Sequence, residues 1–234
     1  MTDLSCRSSQ VELMDLPDTA PEDYAQSLAD LARVNVVTLM HRPVLAFLDA
    51  ATRSMPAGTK LSILDVASGQ GDLLRAIHRW AIRVGLLPVL AGVDLDPRSA
   101  GIAAAASPPG VDIDWRSGDV FDYLPDPAPD FVVSSQFTHH LTDKQVVAFI
   151  RWMEAHARRG WLIADVQRHV IPYYGFRVLA WIMRWHRIIR QDGTISIARA
   201  FRIGEWRALL AEAGVTQATV RWHMPFRLCV ARLR

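Results

Sequence analysis

Between Leu61 and Val166 five short apolar runs alternate with longer stretches of helical period: Leu61 to Ala67, Pro88 to Asp94, Val111 to Trp115, Phe131 to Ser135 and Trp161 to Val166. Runs that short and that continuously apolar are the strands of a parallel sheet covered on both faces by crossover helices. The helices between them are predicted over about Gly71 to Gly85, Pro97 to Ala106 and Thr142 to Arg159. The last of these opens on Thr142-x-x-Gln145, a capping-box spacing, and stops at Gly160. A helix from Gly204 to Ala213 follows, then two strand-like runs, Val215 to Trp222 and Phe226 to Leu233. Only His223 to Pro225 separates those runs, which argues an antiparallel hairpin at the sheet edge. The expected fold is α/β: a doubly wound, mostly parallel seven-stranded sheet in one domain.

Two segments lie outside that pattern. Residues 1–60 read as an N-terminal arm, polar from Ser5 to about Pro21, and a helical lid over Pro21 to Arg53 that breaks near His41-Arg42-Pro43. Residues 61–234 then form the domain proper. Within it, about 168–200 is an insertion after the fifth strand, rich in aromatics (Tyr173, Tyr174, Phe176, Trp181, Trp185) and arginines. An insertion at a strand's carboxyl end lies over the crevice where such sheets bind ligands. It is expected to be a substrate cap, with Tyr173, Tyr174, Phe176 and Trp181 touching the acceptor. Two other readings remain: a helix packing its aromatics on the core, and a basic amphipathic helix that touches lipid.

Composition removes several function classes. The chain is 50% hydrophobic and 21% charged with a net charge of +2, too apolar for a disordered regulator and too weakly basic for a nucleic-acid binder. Cys6 and Cys229 stand at opposite ends, without the spacing of a zinc site or a disulfide framework. The start lacks a basic segment followed by an apolar run, and no stretch reaches the roughly 18 apolar residues that span a bilayer. A cytoplasmic protein acting on a small molecule, without nucleic acid and without stable membrane insertion, is expected.

The first apolar run continues as Ile63-Leu64-Asp65-Val66-Ala67-Ser68-Gly69-Gln70-Gly71-Asp72, a strand that ends in an acid and turns through two glycines into a helix. Glycines there let the backbone approach a ligand with no Cβ in the way. The second strand ends at Asp94, where a carboxylate can accept the hydrogens of both ribose hydroxyls of a nucleoside laid across the first two strand ends. The third is followed by Gly118-Asp119-Val120, where another acid can receive an adenine amine. A dinucleotide site would want Gly-x-Gly-x-x-Gly facing a pyrophosphate. Here Leu74 stands at the third glycine's place, and Asp72 puts negative charge where phosphate would lie.

These residues resemble the class I S-adenosylmethionine-dependent methyltransferases. Asp65-x-Ala67-x-Gly69-x-Gly71 is similar to that family's acid-x-Gly-x-Gly-x-Gly loop, with Ala67 at the first glycine. The resemblance implies S-adenosyl-L-methionine as cofactor. Asp65, Ala67, Ser68, Gly69 and Gly71 would border its methionine part, Asp94 and Leu95 its ribose, Asp119 and Val120 its adenine, and Ser135 would stand at the fourth strand's end facing the sulfonium. It covers about Leu61 to Val166; the segment before it is similar to bacterial small-molecule methyltransferases distantly related to the quinone methylases.

After the fourth strand comes Phe137-Thr138-His139-His140-Leu141-Thr142-Asp143. A histidine there can take the proton of a phenol or enol, although the superfamily often carries a His-His-Leu stretch at this place that only packs or caps. His139 and His140 are thus the catalytic candidates for O-methylation of a phenolic or polyketide-like acceptor. C- or N-methylation, and a regulatory module that binds the cofactor without turnover, are the alternatives. An RNA methyltransferase is disfavoured, because Ser134-Ser135-Gln136-Phe137 replaces the Asn/Asp-Pro-Pro-Tyr/Phe of amino-methylating relatives. Arg42, at the break between the lid helices, is expected to pair with the methionine carboxylate. No metal is expected, since no acid pair follows the fourth strand to chelate a cation beside the methyl donor.

Overall fold

The computed structural model describes residues 3–16 and 18–234. Seven strands, β1 (Lys60–Val66), β2 (Leu87–Asp94), β3 (Ile113–Ser117), β4 (Phe131–Ser135), β5 (Gly160–Val166), β6 (Thr219–His223) and β7 (Arg227–Leu233), form one sheet in the order β3-β2-β1-β4-β5-β7-β6. β1 to β5 are parallel, with Val66 opposite both Val93 and Ser134. β7 runs antiparallel to β5 and to β6, which is the expected hairpin. The chain leaves β1 toward β2 on one side and later returns to β4 on the other. That reversal opens a crevice at the carboxyl ends of β1 and β4, the usual ligand site of such sheets.

Helices α1 (Pro21–Val37) and α2 (His41–Thr52) precede the sheet, and α3 (Asp72–Arg83), α4 (Pro97–Ala105), α5 (Asp143–His156), α6 (Val170–Ile182), α7 (Arg187–Arg199) and α8 (Ile203–Ala213) follow in order. Each face of the sheet has its own core. Phe149, Met153 and Trp206 from α5 and α8 pack on one side with Val132 and Ile163. Leu74, Ile77 and Trp80 of α3, with Val44 and Leu48 of α2, pack on the other against Ile63 and Phe131. All seven residues of β5 are buried, as its unbroken apolar run requires. The capping box at α5 is present: Gln145 N–H donates to Thr142 Oγ1, and Thr142 N–H to Gln145 Oε1 over 2.9 Å.

Several boundaries shift from the sequence reading, and three of the shifts show their physical reason. α5 ends at His156 rather than Arg159, because the N–H groups of Arg158 and Arg159 already donate to Pro129 and Asp130 carbonyls. β3 starts at Ile113, since Val111 is held in a turn by its bond to Pro108 O. β6 starts at Thr219; Val215 is instead folded back onto α8 after the left-handed Gly214, its N–H on Leu210 O. Among the described residues no single helix is long and apolar enough to cross a membrane.

The insertion is two helices, α6 and α7, and the arm lies along α7. Ser8 N–H donates to Ala198 O, Leu13 and Met14 N–H donate to the carboxylate of Asp192, and Ser196 Oγ donates to Glu12 Oε1. The fully buried Arg168 gives its guanidinium to Leu4 O, Ala200 O and Glu205. An arm that reads as polar loop is therefore fastened along most of its length.

Candidate active site

A cavity of 680 Å³ occupies the crevice, and its walls come from both sides of the sheet's switch point. Beyond β1 the chain turns through Ala67 (φ 60), Gly69 (φ 51) and Gly71 (φ 73) into α3. A Cβ on Gly71 would overlap the Trp115 ring, so that glycine serves the packing of β3 on α3, whereas Gly69 lines the cavity itself. Gly69 N–H donates to Asp94 Oδ2 over 2.8 Å, while Asp94 Oδ1 accepts from Asp96 N–H and Ser99 Oγ. Burial pushes the Asp94 carboxyl above its ordinary value. Asp65 is 2% exposed, and its Oδ1 has no hydrogen-bond partner. Burial first, then the charges of Asp72 and Asp94, push its carboxyl far up. Two desolvated acids facing one cavity call for a ligand that carries a cation and hydroxyl donors. Leu95, Asp119, Val120 and Phe121 continue the wall beyond them.

The lid helices close the side of the cavity. Asn35 on α1 donates to Asp72 Oδ2 over 2.9 Å and accepts from Gln136 Nε2 over 2.5 Å, and His41 Nε2 reaches the same Asp72 oxygen at 2.8 Å. These bonds tie α1 and α2 to the start of α3 and to the end of β4. Burial opposes the Asp72 charge, yet the bonds from His41 and Asn35 hold its carboxyl below the ordinary value.

The other end of the cavity is built around the turn after β4. His139 Nδ1–H donates to Asp165 Oδ1 over 2.8 Å, and Asp165 Oδ2 accepts from Thr138 Oγ1 and His139 N–H. His140 Nδ1 lies 2.9 Å from Asp15 Oδ2. Both Nε2 atoms face Glu12 Oε1, at 3.4 Å from His139 and 3.9 Å from His140. Burial works against charge on His139, but Asp165 and Glu12 outweigh it and hold its pKa well above the ordinary histidine value. Arginines fix this turn from outside: Arg7 donates to the His139 and Leu141 carbonyls, and Arg199 to those of His139 and His140.

Most of the residues singled out in the sequence meet here. Asp65, Ala67, Ser68, Gly69, Asp94, Leu95, Asp119, Val120, Ser135, His139 and His140 all line the cavity. Gly71 stands just behind it. Arg42 is a correction: it is exposed and does not line the cavity, whereas the neighbouring His41 does. The aromatic cap is a second correction. Tyr173 is buried against Val166 and Ile197, Phe176 packs on Trp185 with Gly193 under its ring, and Tyr174 and Trp181 are 44% and 67% exposed. None of the four lines the cavity; helix packing, the second of the three readings, describes Tyr173 and Phe176. From the insertion only Ser196 reaches the cavity. The arm also brings Glu12 against the two histidines, a meeting that no local spacing showed.

Glu12, Asp15, Tyr24, Asn35, His41 and Gln136 were missed. Asp165 was missed too, although its place, an acid one residue before the end of a buried strand, is the same signal as Asp65.

Residues 63–160 match the model of a methyltransferase domain family. No curated protein sequence matches the chain. Among solved structures the chain is similar to human N-acetylserotonin methyltransferase in complex with SAM, at 16% identity and a TM-score of 0.63, over 92% of this chain and 56% of that one. It is similar to the plantazolicin methyltransferase BpumL in complex with SAH, at 11% identity and a TM-score of 0.63, over 91% of this chain and 90% of that one. It is also similar to magnesium protoporphyrin IX methyltransferase from Synechocystis PCC 6803 with bound SAH, at 17% identity and a TM-score of 0.54, over 84% and 82%.

Proposed function

We propose that this chain, whose fold is that of the class I S-adenosylmethionine-dependent methyltransferases, transfers a methyl group to an oxygen of a small phenolic or polyketide-like acceptor. The observation that carries the reading is one cavity with two chemically different ends: the desolvated acids Asp65 and Asp94 at one, and the Glu12, His139 and His140 cluster at the other. S-adenosylmethionine, when bound, supplies a methyl group already activated on a sulfonium. Asp94 would hold its ribose hydroxyls, the unpartnered Asp65 would face its ammonium, and Asp119 with Val120 would border its adenine. The protein's remaining task is to align the acceptor oxygen and relieve it of its proton. At the histidine end Glu12 and His140 stand where the hydrogen of a phenol or enol can be drawn off, while His139, its pKa held high by Asp165 and Glu12, keeps its proton.

The test is methylation of a panel of phenols, enols, amines and carbon acids with methyl-labelled S-adenosylmethionine, followed by mass spectrometry. Oxygen-methylated products are expected, and a product labelled only on carbon or nitrogen overturns the choice of atom. For His140→Ala, turnover on a phenol should fall about 10² to 10⁴ and recover on a more acidic analogue whose proton is already lost. Equal loss on both would make His140 a positioning residue. Tight S-adenosylmethionine binding with no turnover on any acceptor would support the regulatory alternative.

A further inference from the structure

We infer that Glu12, His139 and His140 form a binding site for one divalent first-row metal ion of the zinc or iron(II) class. One ligand atom from each side chain lies within 4.8 Å of the other two. The orientation of the rings gives this meaning. His139 Nδ1 is hydrogen-bonded to Asp165 at 2.8 Å, and His140 Nδ1 stands 2.9 Å from the Asp15 carboxylate. In both rings Nδ1 thus faces a carboxylate and Nε2 is turned toward Glu12, where a bound metal would displace any proton on Nε2. A carboxylate behind a histidine, orienting it and raising its basicity, is the arrangement that supports metal-ligating imidazoles. Here it occurs twice around one point.

The Glu12 carboxylate and two imidazole nitrogens converge there, and the charge that balances them is either a proton on an imidazole or a metal ion. The spacing selects between a proton and a metal. A proton shared between an imidazole and a carboxylate draws the two heavy atoms to about 2.7–2.9 Å. The separations from Glu12 Oε1 are 3.4 and 3.9 Å, too open for that. Donors held about 2.0–2.2 Å from a common tetrahedral centre stand about 3.3–3.6 Å apart; the His139–Glu12 separation of 3.4 Å matches, and His140, at 3.9 Å, needs only a small inward shift. Two imidazoles with one carboxylate suit zinc or iron(II) rather than magnesium or calcium, which prefer oxygen. Three protein ligands leave at least one coordination position open, and the site lies in the cavity wall.

The inference deepens the reading above and rests on it for the place of the acceptor. An acceptor hydroxyl bound in the open position loses its proton to solvent because the metal stabilises the oxyanion. That oxygen then forms the bond to the methyl carbon as the carbon–sulfur bond breaks, the electron pair remaining on sulfur.

The test is titration of the chelator-treated, full-length protein with cobalt(II), in the absence of S-adenosylmethionine, followed by visible absorption and by metal analysis after gel filtration. One equivalent with d–d absorption is expected, displaced by zinc. Glu12→Gln and His140→Asn should each weaken cobalt binding more than about 100-fold, and Asp15→Asn about 10 to 100-fold, the range for an orienting carboxylate. Asp15 is partly exposed, so that variant also serves if the buried ones fail to fold. Failure to bind cobalt or zinc, or binding unchanged in all three variants, overturns the site. Calorimetry with S-adenosylmethionine on the same metal-free samples separates the two readings. Cofactor binding without cobalt binding removes only the metal; cobalt binding without cofactor binding removes only the methyltransferase reading.

Discussion

Asp165 Oδ1 accepts the Nδ1–H of His139 over 2.8 Å, and both side chains are 2% exposed or less. The same carboxylate also accepts from Thr138 Oγ1, His139 N–H and Val166 N–H, so one acid at the end of β5 sets the shape of the turn that ends β4. An amide in its place would present an NH₂ group to at least one of these donors. Asp165→Asn should lower turnover about 10 to 100-fold. It should also lower stability by about 1–3 kcal/mol, the cost of leaving a buried donor unpaired. Affinity for S-adenosylmethionine should be unchanged. Steady-state kinetics, denaturant unfolding and calorimetry on one preparation check the three parts.

The acids of the cofactor end should act on binding. Asp94→Ala is expected to weaken S-adenosylmethionine binding by about 1.5–3 kcal/mol, the scale for hydrogen bonds to a charged group. Gly69→Val should abolish binding while the fold persists, because Gly69 lines the cavity with φ 51, where a branched residue is strained and intrudes on the ligand. Calorimetry reads both. Binding of NADH in place of the sulfur compounds would refute the reading of this end.

Ala67 holds φ 60 where the family loop has glycine. A left-handed alanine costs roughly 1–2 kcal/mol that glycine does not pay, partly offset by glycine's greater freedom in the unfolded chain. Ala67→Gly should therefore stabilise the protein by up to about 1 kcal/mol and leave cofactor affinity within about twofold. Paired thermal and denaturant unfolding decide it.

The arm should matter for catalysis and not for the cofactor. A chain beginning at Thr19 loses Glu12 and Asp15 from the cavity and Arg7 from the carbonyls of the histidine turn. Turnover should fall more than about 100-fold, while S-adenosylmethionine affinity changes little. Arg7→Ala, a milder change, should show the same split to a lesser extent.

Docking of the arm carries a pH dependence. Burial pushes the Asp192 carboxyl up to about 6, against the hydrogen bonds from Leu13 and Met14 N–H, and the charges of Glu12 and Asp15 add to the rise. Between its ordinary value of 3.8 and about 6 the folded protein binds more protons at this group than the unfolded chain. Its contribution to stability is thus present below pH 4 and lost as pH rises through 6. In Asp192→Asn that part of the pH dependence should vanish, as read from the difference between the two proteins' unfolding midpoints at pH 4.5 and 7.

What the sequence determined by itself was the sheet and the loop that the cofactor reading rests on. Strand period, glycine turns and terminal acids are local, so Asp65, Gly69, Asp94 and Asp119 could be placed from spacing along one continuous stretch. The arm was legible only as polar loop, because nothing near Glu12 in the chain shows that α7 will carry it to His139. Asp165 escaped notice because its partner lies on a neighbouring strand's turn. The tertiary structure also decided which face of α6 meets the protein. Its apolar residues lie nearly all round the helix, so periodicity selects no face, and packing against Gly193 of α7 turned Phe176 inward and left Trp181 outside. A binding cluster assembled from an arm, a turn and a strand end depends on contacts between distant segments, and only the folded chain brings them together.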